Sequence, residues 1–356
     1  MTSGKVWAAM QEPFLELAHL RLYCINPEQV VPDSFLGGSA PPPHLRSLQL
    51  VSIPFPGLPK LLFSTTHLVT LHLHDIPYSG YFSPEAIVTG LSRTINLNSL
   101  SLGFRSLQPR PDPENRRPLS PNRTVLPALM YFDFTSGASE YLEDLVARID
   151  APRLNHFGRT LYNQFDFDTP QLVHFINRTP DLKTHDEAHV VIDDGAVKVI
   201  LLSQTNDHDL GMITIKILFG DADFQLSSLL RICMSSLPSI FMVESLYIYE
   251  NRYMELDWED KIRAENAEWL DLLCPYTAVK SLYLSKVFGL GIVGALQGSA
   301  GERLTVVFPS LQTVFLEGLR PSGLVQEDIG QFVAARQLSV ILAPFPYRMA
   351  RVCSRS

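Results

Sequence analysis

The feature that most constrains this chain is a short apolar phrase that keeps returning. Leu68–Ile76 reads LVTLHLHDI, with apolar residues in the order L-x-x-L-x-L-x-x-I. Such a phrase forms a short strand that buries Leu71 and Leu73 on one side. Variants begin at Leu17, Leu45, Leu97, Leu129, Val243, Val279 and Leu311, and a degenerate copy begins at Leu154, where Arg159 takes the place of the third apolar residue. Successive copies in the two clear runs lie 23–36 residues apart. That is room for a strand, a turn, a helix and a return. Catalytic motifs do not recur in this way, whereas structural units do. The expected fold is an irregular leucine-rich-repeat-like α/β solenoid, with a mostly parallel curved sheet and helices on its convex side.

The connections support the repeat. Ser83-Pro84-Glu85 is a helix start, with Ser as N-cap, Pro at the first helical position and Glu against the positive end of the dipole. Ser139 and Thr169-Pro170 start two more helices, and Trp258–Leu273 presents two tryptophans on one face as core anchors. Pro43, Pro127, Pro152, Pro180 and Pro309 each stand two residues before a leading leucine, the fourth before Leu182. Proline halts an incoming helix and biases its neighbour to extended geometry, so it marks where a strand begins. Between Leu154 and Val243, Glu187-x-x-Val190-x-Ile192 and Leu210-x-x-Ile213-x-Ile215 fill the gap as two further copies. Helices are also expected at Leu226–Met234 and around Val325, Ile329, Phe332 and Val333. Residues 1–356 are read as one solenoid domain. The Pro- and Arg-rich stretch 107–124 is read as a mobile insertion, and 344–356 as a frayed basic tail.

Composition narrows the function. The formal net charge of −8 argues against a general nucleic-acid surface. Four cysteines without C-x-x-C spacing read as isolated thiols of an intracellular protein, cytoplasmic or nuclear. Signal peptide and membrane span are both missing from the pattern, so no membrane partner is expected. Asn206-Asp-His-Asp209 and Asp193-Asp194-Gly195 fall where turn formers belong, and no P-loop, G-x-S-x-G or dinucleotide fingerprint occurs. His72 and His74 share one strand face, yet no third ligand completes a metal site there. The expectation is a non-catalytic protein with no cofactor and no metal.

Several longer phrases carry a family resemblance: FLGGSAPPPHLRSLQL, LVTLHLHDIPYSGYFSPEAIVTGLS, EYLEDLVARIDAPRL, FDTPQLVHFI, AVKSLYLSK and LQTVFLEGLRPSG. They resemble the C-terminal repeat region of F-box domain-containing proteins of mushroom-forming basidiomycete fungi. The resemblance implies the substrate receptor of a Skp1–cullin–F-box ubiquitin ligase, in which repeats hold the target. Within these residues no F-box module precedes the first repeat. A Skp1-type adaptor is therefore expected only where an F-box lies outside this chain, and a stand-alone binding module is the alternative.

Period-two alternation places a partner site. If the leucines point inward, the residues between them line the open, concave face of the sheet. These include His72 and His74, Tyr131 and Asp133, then Ser245, Tyr247 and Tyr249, Ser281, Tyr283 and Ser285, and Phe315 with Glu317. Tyr247, Tyr249, Tyr283 and Phe315 are expected to form an exposed aromatic strip flanked by hydroxyls, with the make-up of an interface centre. Cross-strand aromatic pairs that only stabilise the sheet are the competing expectation.

Overall fold

In most repeats the leading residue closes a tight turn. The amide of Leu45 donates to the carbonyl of Pro42, that of Leu129 to Leu126, Leu154 to Ala151, Leu182 to Thr179 and Leu311 to Phe308. Proline therefore occupies the second position of a four-residue turn, where its fixed φ is already correct and its missing N–H is not needed. This is a different reason from helix-stopping, because Leu17, Leu97, Val243 and Val279 make the same turn without proline. A strand follows two residues later in each of these repeats except that of Leu182.

The computed structural model describes residues 14–23, 30–32, 35–37, 42–105, 123–137, 139–162, 169–193, 196–203, 211–218, 237–250, 266–285, 292, 307–316 and 339–342. The expected insertion (save Arg123 and Thr124), the helix at 226–234, the Asn206–Asp209 segment, the first half of the Trp258 helix, the helix around Val325 and the tail all lie outside these residues. Contacts divide the chain into two compact units, 1–183 with 206–220, and 184–205 with 221–356.

The first unit opens with β1 (His19–Tyr23), β2 (Ser47–Val51), α1 (Leu58–Ser64), β3 (Thr70–Ile76), α2 (Pro84–Leu91) and β4 (Ser99–Phe104). It continues with β5 (Thr124–Val125), β6 (Tyr131–Thr135), α3 (Ser139–Arg148), β7 (Ile149–Asp150), β8 (His156–Tyr162) and α4 (Pro170–Arg178). The chain then enters the second unit as a hairpin, β9 (Glu187–Asp193) and β10 (Ala196–Leu202), and returns with β11 (Met212–Leu218). The sheet order in the first unit is β1-β2-β3-β4-β6-β8-β11, every pair parallel, while β5 and β7 form a small sheet of their own. The second unit adds β12 (Ser245–Glu250), α5 (Asn266–Leu273), β13 (Ser281–Leu284), β14 (Thr313–Leu316) and β15 (Ser339–Leu342). Its order is β10-β9-β12-β13-β14-β15, antiparallel only between β9 and β10. The architecture is an α/β leucine-rich-repeat-like solenoid with mostly parallel strands.

Neighbouring repeats are locked by a doubled hydrogen bond at each strand start. The carbonyl of Arg46 accepts from both Val69 and Thr70, that of Val69 from Asn98 and Ser99, and that of Asn98 from Met130 and Tyr131. Asp186, Glu244 and Lys280 continue the pattern in the second unit. Both lone pairs of one oxygen are used, and two successive amides are fixed in register. With that register set, Leu48 and Leu50, Leu71 and Leu73, Leu100 and Leu102, and Phe132 and Phe134 stack as buried pairs. Each helix packs on the next, α1 on α2, α2 on α3 and α3 on α4. At Gly90 the approach is so close that a Cβ would stand 2.8 Å from the Pro59 carbonyl oxygen.

The start of α2 is capped as the sequence suggests, whereas Thr169 makes no side-chain cap at α4 and Ser139 lies inside α3; other helix ends are satisfied between helices. Ser83 Oγ accepts from the Ala86 amide at 3.1 Å. Glu143 of α3 accepts from the Gln171 and Leu172 amides at the start of α4, at 2.7 and 2.9 Å. In return Arg178 of α4 donates to the Val146 and Ile149 carbonyls at 2.6 Å each and pairs with Asp150 at 2.7 Å. Free amides at one helix start and free carbonyls at the other helix end are thus bridged by side chains of the opposite sign.

Two repeats depart from the consensus. Arg159 keeps the core position of a leucine with 1% exposure, and its Nη2 donates to Ser139 Oγ at 2.6 Å. Burial pulls its pKa down to about 10, with Glu143 and Glu140 opposing, so it stays charged at neutral pH. The copy expected to begin at Glu187 begins two residues earlier. The pairing of Leu246 with Ala188 and Ile248 with Val190 makes His185 the leading residue, and Asp186 supplies the doubly accepting carbonyl. His185 is 2% exposed, and burial depresses its pKa to about 4.

Two consequences are testable. Leu100→Ala should cost about 2–5 kcal/mol, read as a lower denaturant midpoint, because the cavity opens between two repeats. His185 should make stability fall with pH. Above about 6.5 it is neutral in both states, and between about 6.5 and 4 only the unfolded chain takes up the proton, a loss of about 3 kcal/mol. Thermal melts across that window should be flatter for His185→Leu than for the parent.

Candidate functional site

In the second unit the register aligns side chains of one sheet face into rows. Glu187, Ser245, Ser281 and Thr313 are matched across β9, β12, β13 and β14. Two residues on, His189, Tyr247, Tyr283 and Phe315 are matched in the same way. Those four rings stand face to face. Centroids are 4.5 Å apart from His189 to Tyr247, 4.0 Å from Tyr247 to Tyr283 and 4.1 Å from Tyr283 to Phe315, with interplanar angles of 5°, 9° and 5°. Parallel strands spaced about 4.8 Å apart bring identical positions to near stacking distance, so the ladder follows from the backbone once aromatic residues occupy the row. Tyr249, in the next row, meets His189 edge-on at 6.0 Å and 86°.

Stacking changes what the strip offers. Tyr247 and Tyr249 are each 8% exposed, not open as the alternation alone suggests, and the faces of Tyr247 are covered by His189 and Tyr283. Tyr283 and Phe315 are half-buried, as are Ser245, Ser281 and Thr313. Ser285 is buried and its Oγ donates to a Glu250 carboxylate oxygen. Glu317 lies outside the described residues. His189, absent from the expected strip, heads the ladder, and its Nε2 is 2.5 Å from Glu187 Oε1.

The corresponding face of the first unit is polar. His72 Nε2 lies 3.0 Å from Ser99 Oγ, and the His72 and His74 rings are 5.9 Å apart. Burial and then His74 lower the His72 pKa against the pull of Asp133, which leaves a neutral hydrogen-bonding ring at neutral pH. Asp133 leans across β8, where Gly158 makes room: a Cβ at 158 would fall 1.8 Å from Asp133 Oδ1. That oxygen is 3.5 Å from His156 Nε2, and the Tyr131 ring, well exposed, is 5.7 Å from the His156 ring. The structure thus brings Tyr131 and Asp133 together with His156, and His72 together with His74 and Ser99.

His156, Gly158 and His189 belong to the two repeats whose consensus is weakest. The signal was positional. His156 stands two residues after Leu154, as His19 follows Leu17 and Tyr131 follows Leu129, and His189 stands four after His185 as Tyr247 does after Val243. Among the described residues no group of three or more His, Cys, Asp or Glu side chains is placed to hold a metal ion. Nor is any described helix long and apolar enough to cross a membrane.

No family model matches the chain, and no curated protein matches it. Among solved structures it is similar to a leucine-rich repeat-containing protein, LegL7, from Legionella pneumophila. Identity is 14%, with 92% of this chain and 94% of that chain covered and a TM-score of 0.34.

The ladder yields its own measurement. Tyr247→Leu keeps apolar bulk but removes two stacked contacts, each worth roughly 0.5–1.5 kcal/mol, so the variant should lose about 1–3 kcal/mol in chemical denaturation.

Proposed function

We propose that this chain is a non-catalytic protein-recognition scaffold that holds a target protein on the exposed face of its sheet. The observation that carries the reading is the division of labour along each strand. Alternate residues are committed to the core, while their neighbours form in-register rows of hydroxyl and aromatic side chains on the other face, half-buried at Ser245, Ser281, Thr313, Tyr283 and Phe315. The half-buried hydroxyl row of Ser245, Ser281 and Thr313, beside half-buried Tyr283 and Phe315, supplies hydrogen-bonding groups next to apolar ring edges. That combination suits a protein surface more than a small molecule, for which deep concavity is the usual requirement.

The finer reading is that the target is presented to a Skp1–cullin ubiquitin ligase. Its support is the phrase resemblance to basidiomycete F-box proteins. Co-purification of a Skp1-type adaptor with the product of the full transcript tests that link. Failure to bind the adaptor leaves a stand-alone recognition module and does not touch the scaffold reading.

The scaffold reading has its own test. Ser281→Arg with Thr313→Arg places two long cations in the hydroxyl row without touching the core. Capture of the partners that cross-link to the parent should fall about tenfold at an unchanged melting temperature, whereas Thr66→Arg, in an exposed turn, should leave capture intact. Equal capture by the double variant would remove the sheet face as the site.

A further inference from the structure

The edge of the first unit's sheet where its strands begin carries a groove that does not depend on the sheet-face reading. Each repeat places one residue before and one after its buried leading leucine at this edge. From β2 to β8 the outer row is His44, His67, Asn96, Ala128 and Arg153, and the inner row is Arg46, Val69, Asn98, Met130 and Asn155. Together they leave an open groove of 430 Å³, lined by Arg46, His67, Asn96, Asn98, Met130 and Arg153 with Val69 and Ala128.

Three properties set its chemistry. Arg46, His67 and Arg153 are exposed, and no carboxylate among the described residues pairs with any of them, whereas Arg123 and Arg178 share Asp150. The lining contains no acid at all, in a chain whose formal net charge is −8; the nearest carboxylate in the row, Glu16, belongs to the repeat of β1 beyond Arg46. The middle of the groove holds the amides of Asn96 and Asn98, flanked on either side by apolar Val69 and Met130, with Asn98 Nδ2 donating to the Ala128 carbonyl at 3.5 Å.

We propose that this groove binds an extended acidic peptide segment of a protein partner. Arg46 and Arg153 each meet a carboxylate, and the stretch between them lies over Val69 and Met130. Four strand-to-strand steps separate the two arginines, about 19 Å at about 4.8 Å per step. An extended chain covers that distance in about six residues. The segment therefore carries acidic residues about six positions apart with small or apolar residues between. Single-stranded nucleic acid is the other polyanion of this width, but the groove lining has no Phe, Tyr or Trp and a single imidazole, His67, where a strand of successive bases needs successive rings to stack on.

Fluorescence anisotropy with the full chain and a fluorescein-labelled EGAVAGE peptide tests this. The peptide should bind, bind more weakly as salt is raised, and lose roughly tenfold in affinity to Arg46→Glu with Arg153→Glu. The milder pair Arg46→Gln with Arg153→Gln serves if charge reversal impairs folding, and should weaken binding in the same direction. Circular dichroism melts establish that each variant is folded. The QGAVAGQ peptide should not bind, and a peptide with its two glutamates adjacent should bind less well. Equal binding of the glutamine peptide, binding indifferent to both arginine pairs, or no binding at millimolar peptide would overturn the proposal. So would tighter binding of an oligouridylate lost in the same variants, which would assign the groove to nucleic acid.

Discussion

The structure depends on one small unit of hydrogen bonding. In all but the repeat of Leu154, where Asn155 accepts from Met212 alone, the described carbonyls just after the leading residues that bond the next repeat each accept two successive amides of it. A single shared acceptor fixes both the register and the direction of entry of the incoming strand, and buried backbone groups at the strand start are left satisfied. Everything else inherits that alignment. Leucine falls on leucine in the core, and a face residue in one strand falls on its counterpart in the next. A slip of one residue would turn every apolar side chain outward, so burial and hydrogen bonding enforce the same register. Stability in such an array is largely a sum of nearest-neighbour interfaces. A weak copy is then tolerated when its neighbours are sound, which is how buried Arg159 and His185 survive in leucine positions.

Those two residues also mark the limit of what was legible. Repeats with apolar residues at all three core positions were read correctly to the residue, because burial demands them and sequence shows them. The proline before the leading leucine was a true signal with a different cause, a turn position and not a helix stop. At His185 the leading residue is polar and the first core residue after it is the small Ala188, so the pattern slid by two to the bulkier pair Val190 and Ile192 behind Glu187. Period-two parity survived the slip, which is why β9 was still placed on the right strand. The hairpin partner β10 was not read at all. Ala196 pairs with Asp193, leaving only Asp194-Gly195 between the strands, and Asp-Gly between two apolar runs is a hairpin signal in its own right.

For the candidate site, alternation sorts the side chains into rows but does not give their exposure. An aromatic residue on a sheet face is open only if its neighbours are small. When the row is His189, Tyr247, Tyr283 and Phe315, each ring closes its neighbour's face, and the most aromatic positions become the least available. The ladder is better understood as a rigid spine that holds the adjoining hydroxyl row in place. On the scaffold reading, the groups left for a partner are Ser245, Ser281 and Thr313 and the edges of Tyr283 and Phe315. Similar logic applies in the first unit, where the missing side chain of Gly158 is what allows Asp133 to reach toward His156.

The same separation of roles explains why a target is hard to read from the chain. Core positions answer to packing and vary little in chemistry. Face positions and groove-edge positions answer only to a partner, and any polar or aromatic residue there is compatible with the fold. The two surfaces nonetheless differ in kind. The sheet face offers neutral hydrogen bonds and ring edges, which favour shape-matched contact at short range. The strand-start groove offers exposed arginines, whose attraction extends over roughly a Debye length and governs encounter more than residence. Charge steers encounter and close packing slows release, so substitutions in the groove should act mainly on the association rate of its ligand, and those on the face mainly on the dissociation rate of a partner bound there.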